Sequence, residues 1–303
     1  MPTILITLAT GQQGRATIAA LLESGAKVRA VVRDPTNEAA RALAAKGVTL
    51  FKGSNDDFGI FREAAAGCDA IFLNVLPFPV VQDPVKQAIG ILGACKEAGV
   101  PHVVLSSAGL VGARDKWDVP VNQSSGLAEY YRHEAAIEDA ARSSGIASLT
   151  ILRPYWFHSN YTPPAGNNYY PELLAKGEFV HSLRPGVIFP HINVDDLGRF
   201  SAKALLDPAG FGGQEIELAS ENIALEDVVE AFRKATGREV TLRTRTEAEE
   251  QPENAAPAVR WELWARTVDL SFDVEALKRK YDFKFTTLEE YFTQQKSKLA
   301  ASV

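Results

Sequence analysis

The regular alternation of short apolar runs with amphipathic stretches is what most restricts the fold of this chain. Runs rich in β-branched residues recur at Thr3–Leu8, Lys27–Val32, Val48–Phe51, Ala70–Val75 and His102–Ser106. Helical patterns over Arg15–Ser24, Glu38–Lys46, Phe58–Ala66 and Val85–Ala98 fill the intervals between them. Strands of about five residues separated by helices build βαβ units, and such units close into a parallel sheet covered on both faces. Glycines in "LLESGAKV", "AAKGVTL", "CKEAGVPHV" and "RSSGIAS" stand where a helix needs a left-handed cap. A sixth unit follows, with a helix over Leu127–Ser143 and a strand over Ser148–Leu152. The expected class is α/β, with a doubly wound parallel sheet.

The second half is less regular and is expected to supply a smaller α/β domain assembled from separate pieces. Residues 155–186, with Pro163, Pro164, Gly166, paired asparagines and several tyrosines, read as a long loop with a short helix. "HINVDDLGRFSAKALLDP" reads as a strand end entering a helix. "GQEIELASENIALEDVVEAFRKATGREV" reads as strand, turn and helix, stopped by Gly237. "TEAEEQPENAAPA" is acidic and proline-containing, a solvated or mobile segment, and "TTLEEYFTQQKSKLA" is a capped helix. The expected boundaries give residues 1–154 with 187–215 to the sheet domain, and 155–186 with 216–303 to a substrate or lid domain.

Composition removes several classes of function. A chain of 303 residues with 46% hydrophobic content can bury a sizeable core. Its net charge of −6 argues against a direct nucleic-acid partner, which needs clustered Lys and Arg. Cys68 and Cys95, the only cysteines, are too few for a disulfide framework or a closed zinc site, so no metal is expected. The first residues have no basic n-region, and no apolar run reaches membrane-spanning length. A cytoplasmic location without membrane contact is the expectation.

"ITLATGQQGRATIAALLESG" carries the first chemical signal. In a dinucleotide-binding fingerprint one glycine makes the tight turn, a second lets backbone approach the pyrophosphate, and a third lets helix and strand pack closely. Gly11 and Gly14 fill the second and third roles, but Leu8 stands in the first. Its side chain is expected to point away from the turn and its backbone to avoid positive φ. The helix that Arg15 opens offers its N-terminal N–H groups to phosphate. The second strand then ends in "VVRDP", about 20 residues after the turn. An acidic side chain there holds the ribose of NAD, whereas arginine neutralises the 2′-phosphate of NADP. Arg33 and Asp34 are adjacent, so the site reads either way. An Asp34 carboxylate aimed at the helix side favours NADP and leaves NAD possible. The plainer alternative is that both residues merely cap a strand end.

The motifs "ATGQQG", "VRAVVRDP", "VVLSSA", "TILRPYWFHSN" and "INVDDLGRFSAKAL", in that order, resemble the NmrA-like branch of the atypical short-chain dehydrogenase/reductases. The resemblance covers most of residues 3–240. It implies a Rossmann sheet that binds NAD(P), usually NADP. It also implies one of two activities: reduction of quinones, enones, imines or benzylic ethers, or redox sensing through protein partners without turnover. Carried over residue by residue, Thr10, Gly11, Gln12, Gln13 and Gly14 match the phosphate loop, and Arg33 matches the 2′-phosphate contact. Asn74, Val75, Leu76 and Pro77 follow the fourth strand, where cofactor ribose and nicotinamide pass. Ser106 and Ser107 end the fifth, and Ser107 matches a substrate hydrogen-bonding serine of related reductases. Arg153 and Pro154 match an "LRP", while Tyr155, Trp156, Phe157 and Asn160 match the loop that covers the nicotinamide.

Three residues depart from the pattern. Leu8 replaces the first glycine, and Ser54 replaces an aspartate tied to adenine. The usual Tyr-x-x-x-Lys, whose lysine lowers the tyrosine pKa and holds the ribose, becomes Tyr130 with Glu134. A carboxylate beside a phenol discourages a phenolate. His133 offers a replacement acid and equally fits a surface position; His158 in the covering loop reads the same two ways. His191 fits packing or capping, and Asp195 and Asp196 fit helix N-caps. Trp156, Tyr161, Tyr169 and Tyr170 either line an aromatic substrate pocket or form the lid's own core. The expected function is an NADP-dependent reductase of a small-molecule enone, quinone, carbonyl or imine, with Ser107, Tyr130 and His133 as polar groups at the acceptor. The rival is a non-catalytic nucleotide sensor with a protein partner. Oligomeric state is not legible.

Overall fold

The structure is a computed structural model that describes residues 1–76, 83–120, 126–251 and 257–300. The chain divides into two compact units. The first comprises Met1–Val111, Tyr130–Arg153 and Val194–Glu217; the second comprises Gly112–Glu129, Pro154–Asn193 and Leu218–Val303.

The alternating sequence pattern folds as expected. Strands β1 (Thr3–Ile6), β2 (Lys27–Val32), β3 (Thr49–Lys52), β4 (Ala70–Leu73), β5 (His102–Ser106) and β6 (Ser148–Pro154) join a later strand, β10 (Glu215–Leu218), in a seven-stranded parallel sheet. The order is β10-β6-β5-β4-β1-β2-β3. Ile4 pairs with Val28 on one side and Ala70 on the other, and Val103 pairs with Leu149. Strands β4 and β5 are buried at every position, as a central parallel strand covered on both faces must be. Helices α1 (Gln12–Glu23), α2 (Glu38–Ala45), α3 (Phe58–Ala65) and α4 (Pro84–Glu97) are the crossovers. Asn37, Asp57 and Asp83 cap the last three through side-chain oxygens that accept N–H groups of their first turns. Under α3 and α4, Leu5, Phe61, Ile71, Ile91, Leu92, Val103 and Leu105 form one apolar core.

Helix α5 (Leu127–Ser143) leads into β6, and α6 (Val194–Leu206) returns to the sheet unit. Gly198 lets α6 lie directly on α1, since a Cβ there would strike the backbone of Ala16. Asp195 and Asp196 fall inside the first turn of α6 instead of capping it. There they favour the positive helix end, and buried Asp196 pairs with Arg199.

The second unit is more structured than its sequence suggests. Within residues 155–186 lie β7 (Trp156–Phe157), a 3₁₀ turn, two short helices and β8 (Glu178–His181). Strand β9 (Ile188–Ile192) runs between β7 and β11 (Glu221–Ala224), and β12 (Thr241–Thr244) pairs with β8. Helix α7 (Leu225–Thr236) ends at Gly237 in the left-handed conformation, as expected. Helices α8 (Pro257–Ala265), α9 (Val274–Tyr281) and α10 (Leu288–Gln294) follow; Thr287 and Glu290 form a reciprocal capping box at the last. Part of the acidic proline-containing segment, residues 252–256, lies outside the described residues. No helix among the described residues is long and apolar enough to cross a membrane.

Candidate functional site

Parallel strands end together, so β1, β2, β4 and β5 deliver their C-terminal residues to one edge of the sheet. The strand order reverses between β1 and β4, the position at which open α/β sheets bind ligands. At that edge stand the turn Thr7–Gly11, Arg33, Asn74–Leu76 and Ser106. Pro77, expected beside them, lies outside the described residues.

The phosphate turn departs from expectation at Leu8, whose φ is +45°. The residue takes the left-handed conformation that glycine supplies in this role, instead of avoiding it. Leu8 O accepts the Gly11 N–H at 2.8 Å, which closes the turn. Gly11 then starts α1 in extended conformation with no side chain capping the helix, a geometry suited to phosphate. Gly14 is needed for contact: a Cβ there would lie 2.5 Å from Leu8 O and 2.8 Å from Ala9 Cα. That is the close helix–strand approach assigned to a third glycine. Gln12 is exposed, Thr10 half-buried, and Gln13 Oε1 accepts the Ser106 hydroxyl at 2.8 Å, tying the loop to β5. Beneath the turn, buried Thr7 donates to Asn74 O and accepts the Asn74 N–H, both at 2.7 Å, so β1 and β4 are locked together.

Arg33 is exposed, and Asp34 is turned away from it into a local loop. Its Oδ1 accepts the Thr36 N–H at 2.8 Å and the Thr36 hydroxyl at 2.6 Å, bonds that hold the carboxyl below its usual pKa. Ser54, in the place of the adenine aspartate, accepts the Asp56 N–H at 3.3 Å. The uncapped start of α1, the close helix–strand approach that Gly14 permits and the cation after β2 are features able to hold a dinucleotide.

A second polar group lies in the same unit, beneath α5. Tyr130, Glu134 and Glu138 are spaced by four, so they share one face of the helix. Glu134 and Glu138 are buried. Burial, then the charge of Glu138, pushes the Glu134 carboxyl up to about 8 against the opposing hydrogen bond from Tyr130. Glu138 is braced by two guanidinium groups: Arg153 donates from Nε at 2.8 Å and from Nη2 at 2.7 Å, and Arg142 donates at 2.7 Å. Arg153 also reaches Glu215 and Glu217 on β10. The Ser107 hydroxyl donates to Glu138 at 2.7 Å, so its proton is already engaged. Sequence reading named Ser107, Tyr130, Glu134 and Arg153 but missed Glu138, which joins Ser107 to Arg153; its four-residue spacing from Glu134 was the visible sign. His133 is half-buried on the same helix.

The remaining candidates belong to the second unit. Tyr155 stacks on Phe272, Trp156 stacks on Trp261, and Trp156 and Phe157 pair with His191 and Ile192 across β7 and β9. Tyr161 and Tyr170 are fully buried and stacked 5.3 Å apart beside Phe179: of the two readings, they form that unit's own core. His191 is also buried. Phe189 O can only accept, so His191 Nδ1 carries the proton and Nε2 accepts the Tyr161 hydroxyl at 2.8 Å. Burial lowers its pKa to about 3. Burial, with His191 nearby, holds His158 well below the usual range. Asn160 is half-buried in the 3₁₀ turn. Among the described residues no group of three or more His, Cys, Asp or Glu can hold a metal ion.

Comparison with known proteins agrees with this architecture. The NmrA-like family model matches residues 1–292. Quinone oxidoreductase 2 of Escherichia coli is 29% identical over 250 residues, 81% of this chain and 79% of that protein. An NAD(P)H azoreductase of Xenophilus azovorans is 28% identical, over 78% of this chain and 75% of its own. Two solved structures share the fold. The E. coli NADPH-dependent quinone oxidoreductase in complex with NADPH gives a TM-score of 0.77 at 24% identity, covering 96% and 99% of the two chains. NmrA, a negative transcriptional regulator, in complex with NADP gives 0.76 at 20%, covering 100% and 98%. The chain belongs to the NmrA-like family.

Proposed function

We propose that this NmrA-like chain is an NADP-dependent reductase of a small electrophilic molecule: a quinone, conjugated enone, carbonyl or imine. The observation that carries the reading is the switch-point edge itself. An uncapped helix end, a glycine that admits no Cβ and an exposed Arg33 stand together there, while Asp34 is diverted into Thr36. Thr10–Gly14 would hold the pyrophosphate and Arg33 the 2′-phosphate. Asn74–Leu76 would border the ribose and nicotinamide. Bound NADPH supplies a hydride. Tyr130 leads as the group that meets charge developing on the acceptor, since the Ser107 proton is already given to Glu138; His133 is the next candidate. Without a lysine beside the tyrosine the donors are neutral, so the acceptor must already be electrophilic. Relatives named as a quinone oxidoreductase and an azoreductase fit that class of substrate.

One observation favours the rival, a nucleotide sensor. Related structures include a negative transcriptional regulator that binds NADP. NADPH consumption across a panel of quinones, enones, iminium compounds and unactivated ketones separates the two readings. Turnover with the activated members is expected, with unactivated ketones poor. Silence across the whole panel, despite NADPH binding, leaves the sensor. For the cofactor, calorimetry should show NADPH binding ahead of NADH, and Arg33→Ala should erase the difference. Equal affinities in the unmodified protein would refute the 2′-phosphate assignment.

A further inference from the structure

Glu134 occupies the position where the familiar tyrosine-based site has a lysine, and it is buried on the sheet-facing side of α5, one turn from Tyr130. Glu138 lies one turn further along the same face, and Tyr131 lies near both Glu134 and Glu217 of β10. Arg153 from β6, Arg142 and the Ser107 hydroxyl after β5 all converge on Glu138, and among the described residues no ion pair reaches Glu134. Two carboxyls on one buried face with the cations on one of them divide the roles. The guanidinium groups gather on Glu138, while burial, and then the neighbouring Glu138, favour a proton on Glu134. A neutral carboxyl beside a phenol then donates to the phenol oxygen and leaves the Tyr130 proton for another acceptor.

We propose that Glu134 is the proton source behind Tyr130, a carboxyl relay in the position where a lysine ordinarily stands. The inference rests on the reductase reading above. As an acceptor oxygen gains charge, the Tyr130 O–H bond breaks and an O–H bond forms on the acceptor. The phenol oxygen takes the Glu134 proton, and the Glu134 carboxylate is reprotonated from water. The electron pair arrives with the hydride of the proposed reaction, so atoms and charge balance. Glu134 acts through Tyr130 and is a positioning and relay residue. Once Glu134 ionises, the Tyr130 hydroxyl turns to donate to the carboxylate and is lost to the acceptor, so the relay shuts down as pH rises.

Two measurements test this. The first uses the protein without cofactor: carboxyl-carbon NMR of glutamate-labelled protein across a pH titration. The glutamate resonance that is missing in Glu134→Gln should titrate near pH 8 in the unmodified protein. If the resonance lost in Glu134→Gln titrates near the ordinary carboxyl value of about 4.3, the relay is overturned. The second is the pH–rate profile for an enone or quinone. The unmodified protein should lose kcat above about pH 8. Glu134→Gln should lack that basic limb, with kcat at neutral pH lowered roughly tenfold and NADPH affinity unchanged. Turnover whose basic limb persists in Glu134→Gln overturns the relay alone. Absence of turnover with every acceptor overturns the reductase reading and the relay with it. If Glu134→Gln does not fold, Tyr130→Phe must lose the limb instead, and the titration of the unmodified protein still decides the matter.

Discussion

At the scale of single residues, Leu8 and Gly14 make opposite demands on one turn. A non-glycine residue in the left-handed region costs about 1–2 kcal/mol, and Leu8 carries that strain at the phosphate loop. Leu8→Gly relieves it but frees the unfolded chain by about 0.5–1 kcal/mol. The expected outcome is a stability within about 1 kcal/mol of the parent, with cofactor affinity kept or tightened, read by chemical denaturation and calorimetry. Gly14→Ala places a Cβ against the Leu8 carbonyl, which cannot give way. It should cost about 1–3 kcal/mol and weaken cofactor binding sharply. A Gly14→Ala protein with parental stability and normal NADPH binding would show that the turn and helix are not packed as closely as argued. The glycine spacing made this loop legible in the sequence, but not the φ of Leu8, because backbone strain depends on the Gly11–Leu8 bond that closes the turn. Nor did Ser107 announce its partner: it sits 31 positions from Glu138, and only the fold joins them.

At the scale of elements, α5 concentrates the buried ionisable groups of the sheet unit. The Glu134 carboxyl has an ordinary value of 4.5 when unfolded and about 8 when folded. The folded state therefore binds the extra proton between those values, and stability falls as pH rises through that window. Glu134→Gln removes this dependence. Its melting temperature should match the parent near pH 5 and exceed it near pH 9, by the equivalent of a few kcal/mol. The same melting curve for both proteins at pH 9 would contradict the buried, raised carboxyl. Glu138→Gln should behave differently, removing the bidentate partner of Arg153 while Glu215 and Glu217 still neutralise it, and costing about 1–3 kcal/mol at neutral pH. The strands and helices of the sheet unit were legible because each buries a periodic apolar face. By contrast, β7, β8 and β12 are two to four residues long and lie among prolines and glycines, too short for periodicity to separate from loop.

At the scale of the whole molecule, the two units carry opposite pH sensitivities. In the second unit, burial drops the His191 pKa from 6.5 to about 3, and His158 moves the same way. The unfolded chain binds those protons more readily, so that unit loses stability as pH falls below 6.5. Combined with Glu134, which weakens the first unit toward alkaline pH, greatest stability is expected at weakly acidic to neutral pH, checked by denaturant midpoints across pH. Hydride transfer itself can be followed directly. The protein is mixed with NADPH deuterated at both C4 positions and a conjugated enone, and the product is weighed by mass spectrometry. The account predicts a reduced product one mass unit heavier than that formed with unlabelled NADPH, the deuterium bonded to carbon. Bound NADPH with the enone recovered unchanged would contradict it.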